Sequence, residues 1–126
     1  MRALAIAAPG GENVPVRSRE ERIGLNEAMF RDVNERIRAL NADFAEISDV
    51  VDIVCECGRI DCIERIEMPP AEYEALRSDP TLFAIVAGHE IADVEDVVAR
   101  YASYHVVRKR PLVPAEIARA TDPRGG

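Results

Sequence analysis

Three cysteines and one histidine are the residues of this chain whose types and spacing could do chemistry. The cysteines all lie within residues 55–62, which read CECGRIDC, and His89 follows further along the chain. Residues two apart on a strand point to the same face, so the thiols of Cys55 and Cys57 converge if this segment is extended. The glycine after Cys57 permits a tight turn, which returns Cys62 to the same point. The spacing therefore predicts a knuckle that presents three thiolates to one metal ion.

A fourth ligand would complete the tetrahedral Cys3His arrangement that is common in structural zinc sites. His89 stands in a loop position after a predicted apolar strand, where a ligand can be aimed at the cysteines. His105 lies within a predicted strand and is the weaker candidate. A carboxylate could also take the fourth position, or the protein could supply only three ligands. With zinc as the expected cofactor, the expected metal ligands are Cys55, Cys57, Cys62 and His89.

Other chemistries fit the cysteine cluster less well. A disulfide between Cys55 and Cys57 would close a strained ring across an extended strand, and an iron–sulfur cluster usually takes four thiolates. A reactive or redox-active thiolate and ordinary core cysteines stay open as alternatives. The signature of a zinc deaminase, in which a histidine, one residue and a glutamate precede a cysteine pair, is missing. Because four protein ligands leave no position for water, we expect a structural metal and no catalytic residues.

The elements that must position these ligands begin with a long helix. Residues 18–21, Ser-Arg-Glu-Glu, form a predicted capping box, and the helix is expected to run to about Ala42. Its apolar positions alternate in spacing between four and three, which predicts one stripe along the helix. The stripe comprises Ile23, Phe30, Val33, Ile37, Leu40 and Phe44, with Asn26 completing the series. We expect the half from Val33 to Phe44 to be core, and the half around Ile23, Asn26 and Phe30 to be partly exposed or buried against a second chain.

Strands and shorter helices follow this first helix. Segments rich in β-branched residues and bounded by glycine or proline predict four strands, and proline followed by acidic residues predicts a short helix. The predicted strands are residues 50–57, 62–68, 82–87 and 104–108, and the predicted helices are residues 70–77, 94–101 and 114–120. This order is typical of an α+β domain. We therefore expect a long N-terminal helix packed on a small, mainly antiparallel four-strand sheet that carries the zinc knuckle.

Length and composition describe one small domain. The chain has 126 residues, 48% of them hydrophobic, a size that suits a single core. Its net charge is −7. Residues 1–17 are expected to be a disordered tail, residues 18–121 the zinc-binding domain, and residues 122–126 a flexible tail that ends in Gly125-Gly126. No apolar run approaches the roughly 18 residues that a membrane span needs. The lack of a secretory apolar segment predicts a cytoplasmic location, where thiols stay reduced.

Several motifs resemble a group of small uncharacterised actinobacterial proteins. These motifs are IVCEC at residues 53–57, CIERIE at 62–67, EYEALR at 72–77 and GHE at 88–90. The resemblance extends from the Ser18 helix to the strand that contains Val106 and Val107. It implies that the cysteines and the histidine belong to one site, and it implies no activity.

A zinc-stabilised protein-interaction or regulatory module, rather than an enzyme, fits these features best. Its partner would be another protein or a second copy of the chain, bound through the Ser18–Ala42 helix. The first alternative is an enzyme or redox sensor that uses a reactive thiolate at Cys55, Cys57 or Cys62. The second is a nucleic-acid-binding zinc module, which the net charge of −7 disfavours because phosphate binding depends on lysine and arginine.

Overall fold

A computed structural model describes residues 18–41 and 50–124. The predicted tail at residues 1–17, the stripe residue Phe44 and the terminal Gly125-Gly126 lie outside the described residues. The elements, in chain order, are α1 (Arg19–Asn41), β1 (Val51–Val54), β2 (Arg65–Met68), α2 (Pro70–Arg77), β3 (Leu82–Ile85), β4 (Glu95–Arg100), β5 (His105–Lys109) and α3 (Val113–Ala120). The predicted α+β class is confirmed, and so are the helices predicted at residues 70–77 and 114–120.

The strands form two antiparallel sheets, not the single four-strand sheet that the sequence predicts. β1 and β2 form a hairpin in which Val51 pairs with Met68. The other sheet has three strands in the order β3-β5-β4. A backbone hydrogen bond links the two sheets, from the N–H of Glu56 to the carbonyl oxygen of Ala84, at 2.8 Å. The cysteine segment therefore lies where the two sheets meet.

Strand β4 occupies a segment for which the sequence predicts a helix. Residues 94–101 fit a helical period, but they include three valines, a residue type that packs well in strands. Glu95 pairs with Lys109 across the antiparallel ladder, and the register shifts at Val98, which forms a bulge. The helix prediction is wrong because hydrogen bonding to β5 outweighs the helical spacing of the apolar residues.

The start of α1 is the predicted capping box. The N–H of Glu21 donates to the hydroxyl oxygen of Ser18, and the N–H of Ser18 donates to the carboxylate of Glu21, each at 3.1 Å. These bonds satisfy N–H groups that have no partner within the helix. The capping box is confirmed, and it fixes where the chain enters the helix.

The buried face of α1 is not the predicted apolar stripe. Ile23 is buried, whereas Leu40 is 74% exposed and Val33 also lies at the surface. The expectation about the two halves of the stripe is therefore wrong for Ile23, Val33 and Leu40. It holds for Ile37, which packs against the core, and for Asn26 and Phe30, which are half-buried. The residues that α1 does bury are Ile23, Gly24, Glu27, Ala28, Arg31 and Asn34.

Two polar side chains of α1 bind backbone groups across the fold. The guanidinium of Arg31 donates to the carbonyl oxygens of Pro80, at 2.9 Å, and Ala118, at 3.0 Å. The amide of Asn34 donates to the carbonyl oxygen of Val54, at 2.9 Å, and accepts from the N–H of the same residue, at 2.8 Å. Helix α1 thus docks largely through directional hydrogen bonds, which a search for apolar periodicity does not detect.

A buried ion-pair triad adds to this polar interface. The ammonium of Lys109 in β5 pairs with the carboxylates of Glu27 in α1 and Glu95 in β4, and it lies 5.7 Å from the centre of the Phe83 ring. Burial raises the pKa of Glu27 to about 8. Burial therefore favours the protonated form of Glu27 near neutral pH.

Candidate metal centre

The end of the β1–β2 hairpin positions the first two cysteines. Beyond β1 the pairing continues with a hydrogen bond from the N–H of Cys55 to the carbonyl oxygen of Glu64, at 2.9 Å. The next residue, Glu56, is held on the other side by β3. Because alternate side chains of such an extended segment point to opposite faces, Cys55 and Cys57 share one face.

A tight turn returns Cys62 to the same place. The N–H of Cys62 donates to the carbonyl oxygen of Arg59, at 3.1 Å, and extending the hairpin register places Cys62 opposite Cys57. Gly58 has a second role beside the turn, since a Cβ atom there would lie only 2.7 Å from the Ile23 side chain. The turn and α1 can therefore pack together only because this residue has no side chain.

His89 reaches the cysteines from a turn after β3. Its N–H donates to the carbonyl oxygen of Val86, at 3.0 Å. Gly88 has φ of +90°, a conformation that residues with side chains rarely adopt. The turn aims the imidazole back at the hairpin, where its Nδ1 lies 3.6 Å from Sγ of Cys55 and 3.6 Å from Sγ of Cys62.

The structure brings together the four residues that the sequence singles out. One ligand atom from each lies within 4.8 Å of all the others, so the group could hold a metal ion. All three cysteines are free thiols. His105, the weaker candidate, is not part of the group; it lies in β5, where its Nδ1 is buried without a hydrogen-bond partner. The members of the cluster are Cys55, Cys57, Cys62 and His89.

Two of the distances within the cluster match those of a tetrahedral metal site. Zinc binds cysteine sulfur at about 2.3 Å and histidine nitrogen at about 2.0–2.1 Å, and tetrahedral angles then separate sulfur from nitrogen by about 3.5–3.6 Å. The two observed Sγ···Nδ1 distances are both 3.6 Å. These two edges already have the length that a shared tetrahedral ion requires, and every other pair of ligand atoms lies within 4.8 Å.

Without a cation, the three thiols cannot all ionise. The pKa of Cys57 is lowered to about 5, mainly by its hydrogen bond with the Cys55 side chain. The same hydrogen bond, followed by burial, raises the pKa of Cys55, and burial raises the pKa of Cys62. The thiolate of Cys57 is thus stabilised, whereas Cys55 and Cys62 favour their protonated thiol forms. A dication among the sulfurs would displace the remaining protons, so binding would release protons.

No protein-family model, curated protein or solved structure matches the chain. The resemblance to small actinobacterial proteins therefore stays a prediction. None of the helices within the described ranges has the length and apolar content that a membrane crossing requires.

Glu56 is the residue near the site whose role the sequence does not reveal. The acidic residues around the cysteines would ordinarily face solvent, and Asp61 and Glu64 do so. Glu56, in contrast, is fully buried. Both of its carboxylate oxygens accept hydrogen bonds from the guanidinium of Arg77, each at 2.8 Å. Because side chains alternate along the extended segment, Glu56 points to the face opposite the cysteines. Nothing in the neighbouring sequence indicates that the buried Arg77 lies on that face.

Further hydrogen bonds complete the network around Glu56. Its carboxylate also accepts from the amide of Asn34, at 2.7 Å, and from the N–H of Ala84, at 3.1 Å. Helix α1, helix α2 and strand β3 therefore all bind the residue that separates Cys55 from Cys57. This network fixes the backbone of the cysteine segment from the side opposite the thiols.

Proposed function

We propose that Cys55, Cys57, Cys62 and His89 bind one zinc ion with a structural role. The observation that carries the proposal is the pair of 3.6 Å Sγ···Nδ1 distances, which match the sulfur–nitrogen edge of a tetrahedral zinc site. Three thiolates and an imidazole are ligands that zinc binds well. Iron–sulfur clusters usually take four thiolates and so fit this set less well.

The structural role follows from the number and origin of the ligands. Four protein ligands fill the tetrahedron, so no position is left for a reacting water molecule. The ligands come from the end of the hairpin and from the turn after β3, which belong to different sheets. A bound ion therefore joins the two sheets, and its binding free energy contributes to folding.

We propose that the zinc-stabilised domain acts as a protein-interaction module in the cytoplasm. The surface that supports this role is the outer face of α1, where Met29, Val33 and Leu40 are all exposed. Asp32 and Arg36 are exposed on the same side. Antiparallel pairing of two copies would place Asp32 of one opposite Arg36 of the other, and Met29 beside Leu40. A second copy of the chain is therefore the partner that we propose for this surface.

Metal analysis tests the zinc site. Protein purified without chelators should contain one zinc ion per chain, and X-ray absorption should show three sulfur neighbours at about 2.3 Å and one nitrogen at about 2.0 Å. The variant His105→Ala serves as a control and should keep the full zinc content. Metal-free protein with three rapidly alkylated thiols would contradict the proposal and favour the reactive-thiolate alternative.

The mass in solution tests the pairing of α1. Sedimentation equilibrium should show a monomer–dimer equilibrium that Leu40→Ser shifts toward monomer. Leu112→Ser, which changes an exposed leucine outside α1, should leave the equilibrium unchanged. A chain that stays monomeric at millimolar concentration would contradict the second-copy proposal without affecting the zinc proposal.

A further inference from the structure

A cavity of about 350 Å³ is lined by residues of α2 and of the three-stranded sheet, and by none of the four candidate metal ligands. Its walls are largely aliphatic, with contributions from Met68, Leu82, Val98 and Val106. The volume is at the lower end of the range for small-ligand sites, and it is large enough for one long side chain. Val98 and Ala99 of the lining belong to β4, an edge strand that pairs only with β5 within the described residues.

Within the part of the chain that the structure describes, one carboxylate of this cavity has no cationic partner. Glu72, in the first turn of α2, is half-buried and accepts a hydrogen bond from the hydroxyl of Tyr104. No basic side chain of residues 18–41 or 50–124 forms an ion pair with it. Burial raises the pKa of Tyr104, so this hydroxyl remains a neutral donor. The negative charge of Glu72 is therefore left for a ligand to balance.

The other charged residue that lines the cavity, Arg108, already has an ion-pair partner. Arg108 reaches the cavity, but its guanidinium pairs with the carboxylate of Asp79 at 3.2 Å. An anionic ligand would have to compete with Asp79 and approach Glu72. The cavity therefore favours a cation over an anion.

Two aromatic rings strengthen this preference. Tyr101 and Tyr104 stack with ring centroids 4.8 Å apart, and both rings line the cavity. Tyr101 is about half exposed, so its outer face is accessible from solvent. A cation near the face of a tyrosine ring is attracted by the ring's quadrupole.

We propose that this cavity binds a lysine or arginine side chain of a partner polypeptide. The methylene stem would lie along the aliphatic wall, and the cationic head would lie between Glu72 and the tyrosine rings. The net charge of −7 also favours a basic partner, since it attracts positive charge during encounter. This proposal goes beyond the zinc site and does not depend on the pairing of α1.

A titration with small probes tests the proposal on the full metal-loaded protein. The probes are the N-acetyl methylamides of L-arginine, L-lysine and L-norleucine, and the readout is the amide spectrum by two-dimensional NMR. Arginine or lysine should give saturable shifts at Val98, Tyr101 and Glu72, with a Kd in the millimolar range. Norleucine, which has a similar stem and no charge, should bind about tenfold more weakly.

Two variants assign the binding to named groups. Glu72→Gln removes the charge but keeps an oxygen that can accept from Tyr104, and it should weaken binding of the basic probes about tenfold. Glu116→Gln is the matched control, since Glu116 occupies the first turn of α3 as Glu72 occupies that of α2; it should bind like the parent. Tyr101→Leu keeps an apolar wall without the ring and should weaken binding several-fold.

Three results would overturn the proposal. They are equal binding of norleucine and the basic probes, unchanged binding in Glu72→Gln, and the absence of saturable shifts with either basic probe. The amide spectrum and thermal midpoint of each variant establish that it is folded. If Glu72→Gln fails to fold, Tyr101→Leu decides the outcome, because Tyr101 is largely at the surface.

Discussion

Breaking the buried ion pair between Glu56 and Arg77 tests whether the polar network supports the metal centre. In Arg77→Leu the carboxylate of Glu56 would lose two hydrogen bonds of 2.8 Å and keep those from Asn34 and the N–H of Ala84. Removing one partner of a buried pair costs about 3–5 kcal/mol, because the other charge stays buried without compensation. Since two donors remain, we expect a loss in the lower half of that range, about 3–4 kcal/mol.

Chemical and thermal unfolding of the zinc-loaded protein measure this loss. The free energy of unfolding, taken from urea titrations followed by circular dichroism, should fall by the amount given above. For a domain of this size, about 1 kcal/mol corresponds to roughly 4 °C in Tm, so the midpoint should fall by about 12–16 °C. Zinc affinity, measured by competition with a chromogenic chelator, should fall as well, because the backbone between the two cysteines loses its support.

An exposed ion pair provides the control. Arg65 and Asp52 form a pair whose side chains are 54% and 53% exposed, and such pairs contribute only about 0.2–1 kcal/mol. Arg65→Leu should therefore change stability little. Adding Glu56→Gln to Arg77→Leu removes the uncompensated charge and should restore part of the stability. If Arg77→Leu costs no more than Arg65→Leu, the buried network does not support the site and the reasoning fails.

Three further predictions concern the metal ligands, the buried Glu27 and the exposed Leu40. Cys57→Ser should lose zinc and unfold or strongly destabilise the domain, whereas His89→Ala should destabilise it less because water can take the fourth position; metal content and melting curves decide. Burial raises the pKa of Glu27 from 4.5 to about 8. Between these two pH values the folded chain keeps a proton that the unfolded chain has released, so the free energy of unfolding falls as the pH rises from 4.5 to about 8. Glu27→Gln should therefore flatten the decline of the urea midpoint between about pH 6 and 8, and an equal decline in both proteins would contradict this pKa. Leu40→Ala should cost less than about 0.5 kcal/mol, since this side chain is exposed, whereas the buried Leu76→Ala should cost about 2–5 kcal/mol.

That the candidate ligands lie close together could be predicted because their signal is local. Cys55, Cys57 and Cys62 lie within a few residues of one another, so strand alternation and one turn bring their sulfurs together. His89 is farther along the chain, yet the preceding glycine marks a turn that can aim a ligand. The capping box at Ser18 and the proline start of α2 are equally local, and both predictions are confirmed.

The face of α1 and the division into two sheets could not be predicted, because both depend on distant partners. From sequence alone, polar residues such as Glu27, Arg31 and Asn34 are expected to face solvent, because the distant groups that they bind are not apparent. The residues of β4 suit a helix or a strand about equally well, and only β5 decides between them. Apolar periodicity detects hydrophobic burial, and in this chain the longest described helix buries Ile23 and Ala28 but is also docked by hydrogen bonds and ion pairs.

The polar docking of α1 has a consequence for the order of folding. Hydrophobic contacts are non-directional and stabilise even loosely arranged chains, whereas the bonds from Arg31 and Asn34 form only when their distant acceptors are already in place. We therefore expect the hairpin, α2 and the three-stranded sheet to assemble before α1 docks. Substitution of Asn34 by alanine should accordingly speed unfolding and leave the refolding rate nearly unchanged, which corresponds to a φ-value near zero. Although α1 precedes the strands in sequence, its interface would be the last to form.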